Sequence, residues 1–250
     1  MDQIFEWIDS CACQLCLLYF SAVDTAGHAY GPDSPQVAAA VADMDKVVGR
    51  IEAALAARDL SDKANLVLLS DHGMSPVENF IYLDDYLDLT TVTSQEHGAF
   101  TDLWPIAPAT VDAVLAALAP APHLRCWAKD KVPDYNHFQH SDRIAPIVCV
   151  SDDTWLTSAH SSSSPFWFPP SLKGMHGFMP DLPNMGASFV VRAPSKFDSG
   201  VDGEAGRIPQ TSNLNVFNLI CHLLQISPSP NNGTLTDFAP FMMPSITVPK

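Results

Sequence analysis

Five side chains in this sequence have the types and spacing to hold a divalent cation. Asp24 and His28 stand four residues apart in the stretch YFSAVDTAGHAYGPDS, residues 19–34. Asp71 and His72 follow the apolar run ANLVLLS, and His176 stands between Gly174 and Gly177. Carboxylate oxygen and imidazole nitrogen are donors that zinc accepts when rigid elements aim them into one crevice. Taken singly, each residue is as well explained as a cap, a turn residue or a solvated side chain, so the joint pattern carries the signal. Gly27, Gly31 and Pro32 argue against a regular helix through the first pair, which places Asp24 and His28 on a loop at the end of a strand. Cys11, Cys13 and Cys16 spell C-x-C-x-x-C, a spacing that suits a metal or redox site. Cys16 falls inside the apolar run LCLLYF and no second Cys/His pair follows nearby, so this cluster reads as incidental.

Such donors need a frame. Three apolar runs read as buried parallel strands: LCLLYFSAV (15–23), ANLVLLS (64–70) and GASFVVRAP (186–194). Between the first two, Val37, Val41, Met44, Val48, Ile51 and Leu55 recur at helical spacing behind a Ser34-Pro35 start signal. Strand, helix, strand is a βαβ unit, and an α/β sheet binds its ligands beyond the C-terminal ends of its strands. The middle of the chain has another texture. Residues 109–122 predict a helix, 123–129 and 145–153 predict short strands, and SSSSPFWFPP is rich in breakers, which together suggest an α+β insertion over roughly 80–170. A last amphipathic helix is expected over 211–226, with Leu214, Phe217, Ile220, Cys221 and Leu224 on its apolar face.

Composition narrows the function. With 250 residues and 47% hydrophobic content the chain can bury a substantial core, and its formal net charge of -15 counts against a nucleic-acid-binding surface. A phosphate-bearing ligand would then need a bound cation to neutralise it. No apolar run is long enough to span a membrane. Asp2, Glu6 and Asp9 stand where a secretory leader carries basic residues, so taken literally the sequence predicts a chain that stays in the cytosol. The sequon Asn232-Gly233-Thr234 would matter only in a secreted protein.

The motifs taken together resemble the nucleotide pyrophosphatase/phosphodiesterase family of the alkaline-phosphatase superfamily. LYFSAVDTAGHAYGPDS is similar to that family's Asp-x-x-x-His loop, VLLSDHGM to its Asp-His-Gly-Met strand end and GMHGF to its late Gly-x-His-Gly segment. SDRIAPIVCVSDDTW and VFNLICHLLQISPSPNNGT look like the family too. The resemblance implies an alkaline-phosphatase-like parallel sheet flanked by helices, with the small α+β insertion and without the N-terminal part of the domain. On that reading residues 1–250 are a partial catalytic domain, its metal-binding core in 1–80 and 170–235 and its insertion over roughly 80–170.

The same resemblance implies two zinc sites. Asp24, His28 and His176 would be a complete set for one Zn2+; Asp71 and His72 would be part of the other. Tyr19 matches a tyrosine that lines the substrate pocket, while as a strand aromatic it fits equally well in a core. The family's nucleophile is a threonine in a segment expected upstream of Met1, and neither Thr25 nor Ser70 stands in a matching context. The expected function is therefore zinc-dependent hydrolysis of phosphodiester or pyrophosphate bonds in nucleotides or phospholipids, weak or absent in this chain by itself. By family resemblance the location is extracellular or membrane-anchored. Two alternatives stand beside it: a non-catalytic remnant that keeps the fold and one zinc, and a related superfamily phosphatase, sulfatase or mutase. The latter would share Asp-His-Gly but not the later segments. Ala22 and Val23, where the family is usually acidic, and the continuation HGFMPD alter the surroundings of the ligands rather than the ligands themselves.

Overall fold

Ser34 and Pro35 start the longest helix as the sequence predicts: the Val37 amide donates to Ser34 Oγ at 3.2 Å, and proline occupies a first-turn position where its missing N–H costs nothing. The computed structural model describes residues 2–10, 13–133, 138–194 and 208–242. Its first part holds α1 (Asp2–Asp9), α2 (Ala22–Tyr30), α3 (Pro35–Ala56), β1 (Leu66–Leu69), β2 (Ser75–Pro76) and β3 (Asn79–Tyr82). The middle holds β4 (Val92–Thr93), β5 (Phe100–Pro105), α4 (Val111–Leu118), β6 (Leu124–Ala128), β7 (Ile147–Ser151) and β8 (Trp155–Ser158). The last part holds β9 (Gly174–Met175), β10 (Phe189–Arg192) and α5 (Leu214–Leu224). The chain is a mixed α/β protein. It divides into two compact units, one from residues 1–19, 43–71 and 188–250 and one from residues 20–42 and 72–187.

The second unit is built on a four-stranded antiparallel sheet in the order β4-β5-β7-β6. β7, buried along its whole length, reads as the continuous apolar run IVCV because it is central in the sheet and covered on both faces. Leu83, Leu103, Val114, Leu118 and Phe166 share one core cluster with its Ile147 and Cys149. α4 begins at Thr110, whose Oγ1 accepts from the Ala113 amide at 3.2 Å. Cys126 and Cys149 are register partners on β6 and β7 and are joined by a disulfide. β3 and β8 make the one parallel pairing among the described residues, and β2 pairs with β9 antiparallel.

In the first unit the arrangement departs from the expected single parallel sheet. β1 and β10 pair with each other antiparallel, Leu66 opposite Arg192 and Leu69 opposite Phe189. The run 15–23 forms no strand; residues 15–21 are irregular and α2 begins at Ala22. An apolar run fixes a preference for burial but not its partner or direction, which long-range pairing decides. α1 is tied to the residues after α3 by Arg58, which donates from Nε and Nη2 to the two Asp9 carboxylate oxygens at 2.7 and 2.9 Å.

α5 forms where expected, but its buried face is only partly the expected one: Cys221 is buried, Ile220 and Leu224 are half-buried, and the remaining two are exposed. Leu214 and Phe217 are 54% and 45% exposed, whereas Asn215, Asn218, Leu219 and Cys221 are buried. Hydrogen bonding explains the turn of the helix. Asn218 and Asn231 exchange two amide bonds at 3.0 Å, and Asn215 donates to Thr211 and Asp237 while accepting from the Thr234 amide. Buried amides with every partner in place stabilise that face as apolar side chains would. Asn232 of the sequon is exposed in the loop after α5.

Candidate metal centre

Asp24 and His28 lie on a helix, not on the loop that the glycines and proline suggested. α2 carries them one turn apart, and four residues along a helix bring two side chains to the same face. Gly27 is tolerated inside the helix because the space beside it is taken. A Cβ there would come within 2.8 Å of Met74 Cε, and a Cβ on Gly174 would strike the Gly27 carbonyl. Gly31 then ends the helix at φ 87°, its amide donating to the Gly27 carbonyl at 2.8 Å.

The facing element is β9. Gly174 and Lys173 grip His28 from both ends: the Gly174 carbonyl lies 2.8 Å from His28 Nδ1, and the Lys173 amide donates to the His28 carbonyl at 2.9 Å. A carbonyl can only accept, so Nδ1 carries the proton and Nε2 presents its lone pair. That Nε2 is 3.4 Å from Asp24 Oδ1, and His176 Nε2 is 3.6 Å from the same oxygen. Asp24 Oδ1 is itself buried without a hydrogen-bond partner. The donor atoms of Asp24, His28 and His176 all lie within 4.8 Å of one another. Two imidazole nitrogens converging on a buried, unsatisfied carboxylate oxygen make three donors that fit a zinc-sized cation, whose bonds to nitrogen and oxygen are about 2 Å long. Beside them Asp24, Thr25, His28, Ala29, Pro169, Ser171 and Leu172 line a shallow depression of about 300 Å³.

The group of converging donors holds neither His72 nor Asp71. His72 stacks on His176, ring centroids 3.6 Å apart and planes 17° from parallel, and its Nδ1 lies 2.8 Å from the Gly73 carbonyl. Asp71 belongs to the first unit, where its carbonyl accepts from Asn213 Nδ2 at 3.2 Å. Tyr19 is 78% exposed, which excludes the core-aromatic reading. Sequence reasoning did not foresee the Gly174 carbonyl as the group that orients His28, since a backbone acceptor has no side-chain signature. It also missed the hydrogen-bonded set next to His72, in which buried Ser75 donates to Asp153 Oδ1 at 2.6 Å and Asn184 Nδ2 donates to both residues.

A carboxylate and two imidazoles drawn together on α2 and just after β9 make a candidate metal-binding site in a mixed α/β chain. The chain belongs to the type I phosphodiesterase/nucleotide pyrophosphatase family, whose model matches residues 1–179. It is 33% identical over 241 residues to human ectonucleotide pyrophosphatase/phosphodiesterase family member 5, covering 93% of this chain and 47% of that protein. It is 30% identical over 230 residues to the bovine bis(5'-adenosyl)-triphosphatase, covering 87% of this chain and 46% of that one. Among solved structures, human ectonucleotide pyrophosphatase/phosphodiesterase 5 superposes with a TM-score of 0.85 at 31% identity, over 96% of this chain and 62% of the other. An inactive variant of the murine protein in complex with AMP superposes with a TM-score of 0.81 at 28% identity, covering 97% and 62%. The chain thus spans about half the length of the curated relatives it matches.

Proposed function

We propose that this chain is the zinc-binding part of a hydrolase acting on phosphodiester or pyrophosphate bonds of nucleotide-type substrates, with Asp24, His28 and His176 as one ligand set. The observation that carries the reading is the buried Asp24 Oδ1 without a hydrogen-bond partner, flanked by the Nε2 atoms of His28 and His176. Asp71 and His72 are assigned to a second, incomplete set, and Tyr19 to the substrate. When bound, zinc supplies positive charge that offsets the phosphate and the charge that builds on it during hydrolysis. The residues themselves do the positioning. Gly174 holds the His28 ring in one tautomer, α2 fixes the Asp24–His28 spacing, and Thr25, Ser171 and Leu172 wall the adjoining depression. The metal-binding core is drawn from residues 1–80 and 170–235, with 80–170 as an insertion. An extracellular setting agrees with the relative's description as an ectonucleotide enzyme and with the Cys126–Cys149 disulfide, a bond that persists where conditions oxidise.

The test uses the 250-residue chain, stripped of metal and then reloaded with zinc. AMP binding measured by calorimetry is expected in the zinc form, absent in the stripped form and lost in Asp24→Asn. Equal AMP binding in all three would overturn the assignment. Hydrolysis of a nitrophenyl nucleotide ester, followed in parallel, is expected to be slow, because no serine or threonine of this chain matches the nucleophile context that the family resemblance requires. Fast hydrolysis that survives Asp24→Asn would equally count against it.

A further inference from the structure

The sequence motif C-x-C-x-x-C plays no part in the metal centre, yet two of its sulfurs touch. Cys13 and Cys16 Sγ are 2.8 Å apart, well inside ordinary contact between two non-bonded sulfurs. Both thiols are half-buried, the chain bends at Gln14 between them, and Gln14 and Leu15 are exposed. A bonded pair of sulfurs sits at about 2.05 Å, so closing this pair takes less than about 1 Å of movement within one turn of chain. Cys11 lies outside the described residues, and Cys221 is a buried free thiol on α5.

We propose that Cys13 and Cys16 are a thiol–disulfide exchange site, a dithiol that small-molecule disulfides such as oxidised glutathione convert to an intrachain disulfide. The hydrogen bond to Cys13, then burial, then the charge of the neighbouring sulfur push the Cys16 thiol up to about 11. Either sulfur can donate in this contact, and the raised Cys16 thiol is the poorer first nucleophile, so the exchange is written from Cys13. In the first step Cys13, its proton given to solvent, bonds to one sulfur of the reagent; the reagent's S–S bond breaks and one glutathione thiolate leaves. In the second, Cys16 gives its proton to solvent and attacks Cys13 Sγ, the mixed disulfide breaks and the second thiolate leaves. Two protein thiols are oxidised and one glutathione disulfide is reduced to two glutathiones. The closed form staples the turn that leads into the exposed run Leu17, Leu18, Tyr19 and Phe20.

The experiment equilibrates the whole chain in glutathione buffers, traps free thiols with an alkylating maleimide and maps the peptides by mass. The expected product is a peptide in which Cys13 and Cys16 are both unlabelled and the mass is lower by two hydrogens. Reaction order identifies it. At fixed oxidised glutathione, doubling reduced glutathione lowers the closed-to-open ratio about fourfold for an intrachain disulfide but only about twofold for a mixed one. Cys13→Ser should leave Cys16 with at most one bound glutathione and no closed peptide, and Cys16→Ser should stop at the mixed disulfide on Cys13. Labelling of both sulfurs at every buffer ratio, a first-power dependence, or pairing of Cys16 with Cys11 would overturn the assignment.

Discussion

Asp24 is the residue on which the metal reading turns, because its Oδ1 is buried with no hydrogen-bond partner while two imidazole nitrogens stand close by. Loss of a partner that merely orients a zinc ligand costs about 10- to 100-fold in affinity, so removing a donor costs more. Asp24→Asn, His28→Ala and His176→Ala are each expected to lower zinc affinity beyond about 100-fold in competition with a chromogenic chelator. His72→Ala should leave the stoichiometry near one zinc per chain. A different histidine governs pH dependence. His97 packs against Phe168 at 4.6 Å and Phe166 at 5.7 Å, and its Nε2 is buried without a partner. Burial holds its pKa below the ordinary 6.5, outweighing Glu96, Asp102 and the Trp167 carbonyl, which act in the opposite direction. The native state therefore refuses a proton that the unfolded chain accepts. Its stability contribution is complete above 6.5, falls as pH drops through that value and levels off below the depressed native pKa. Urea unfolding midpoints measured across that range should show the fall, and His97→Gln should flatten it.

At the scale of elements, α2 and β9 make the site by pressing two glycine backbones together. Gly174→Ala would drive a methyl into the Gly27 carbonyl, which cannot yield without moving α2, and should cost about 1–3 kcal/mol. Gly27→Ala meets a flexible side chain rather than backbone, Met74 Cε at 2.8 Å and Cγ at 3.2 Å, and gains about 1 kcal/mol of helix propensity, so it should cost less than Gly174→Ala. The order of the two in urea denaturation checks the packing, and zinc affinity should fall in the first alone because the Gly174 carbonyl orients His28. This pair also shows where the sequence could be read and where not. α3, α4, β6 and β7 were legible because caps, helical periodicity and apolar runs are local signals. α2 was not, since Gly27 reads as a breaker until the backbone across from it is known. The face of α5 was hidden likewise: Asn215 and Asn218 look solvent-facing until Asn231, Thr234 and Asp237 arrive from a later loop to satisfy them. The candidate ligands were legible as types, and the drawing together of Asp24, His28 and His176 was legible only through family resemblance.

On the scale of the whole molecule the formal charge of -15 would oppose the approach of the anionic ligand that the proposed function calls for. Like charge repels over about a Debye length, roughly 10 Å at 0.1 M salt, and added salt shortens that reach. The association rate of AMP with the zinc-loaded chain, measured by stopped flow, should therefore rise with ionic strength, where a protein with a basic phosphate-binding face shows a fall. On the proposed function, the same repulsion would make the bound cation a condition for capture as well as for chemistry.

The placement of Asp24 and His28 on successive turns of α2 also limits how this stretch of chain can drift in length. Loops absorb insertions with little penalty, but each residue added to a helix rotates the remainder of that helix by about 100°. One codon gained or lost among Thr25, Ala26 and Gly27 would swing His28 off the face it shares with Asp24 and away from the Gly174 carbonyl. Substitutions can accumulate around the pair, while the count of residues between them is locked by the pitch of the helix.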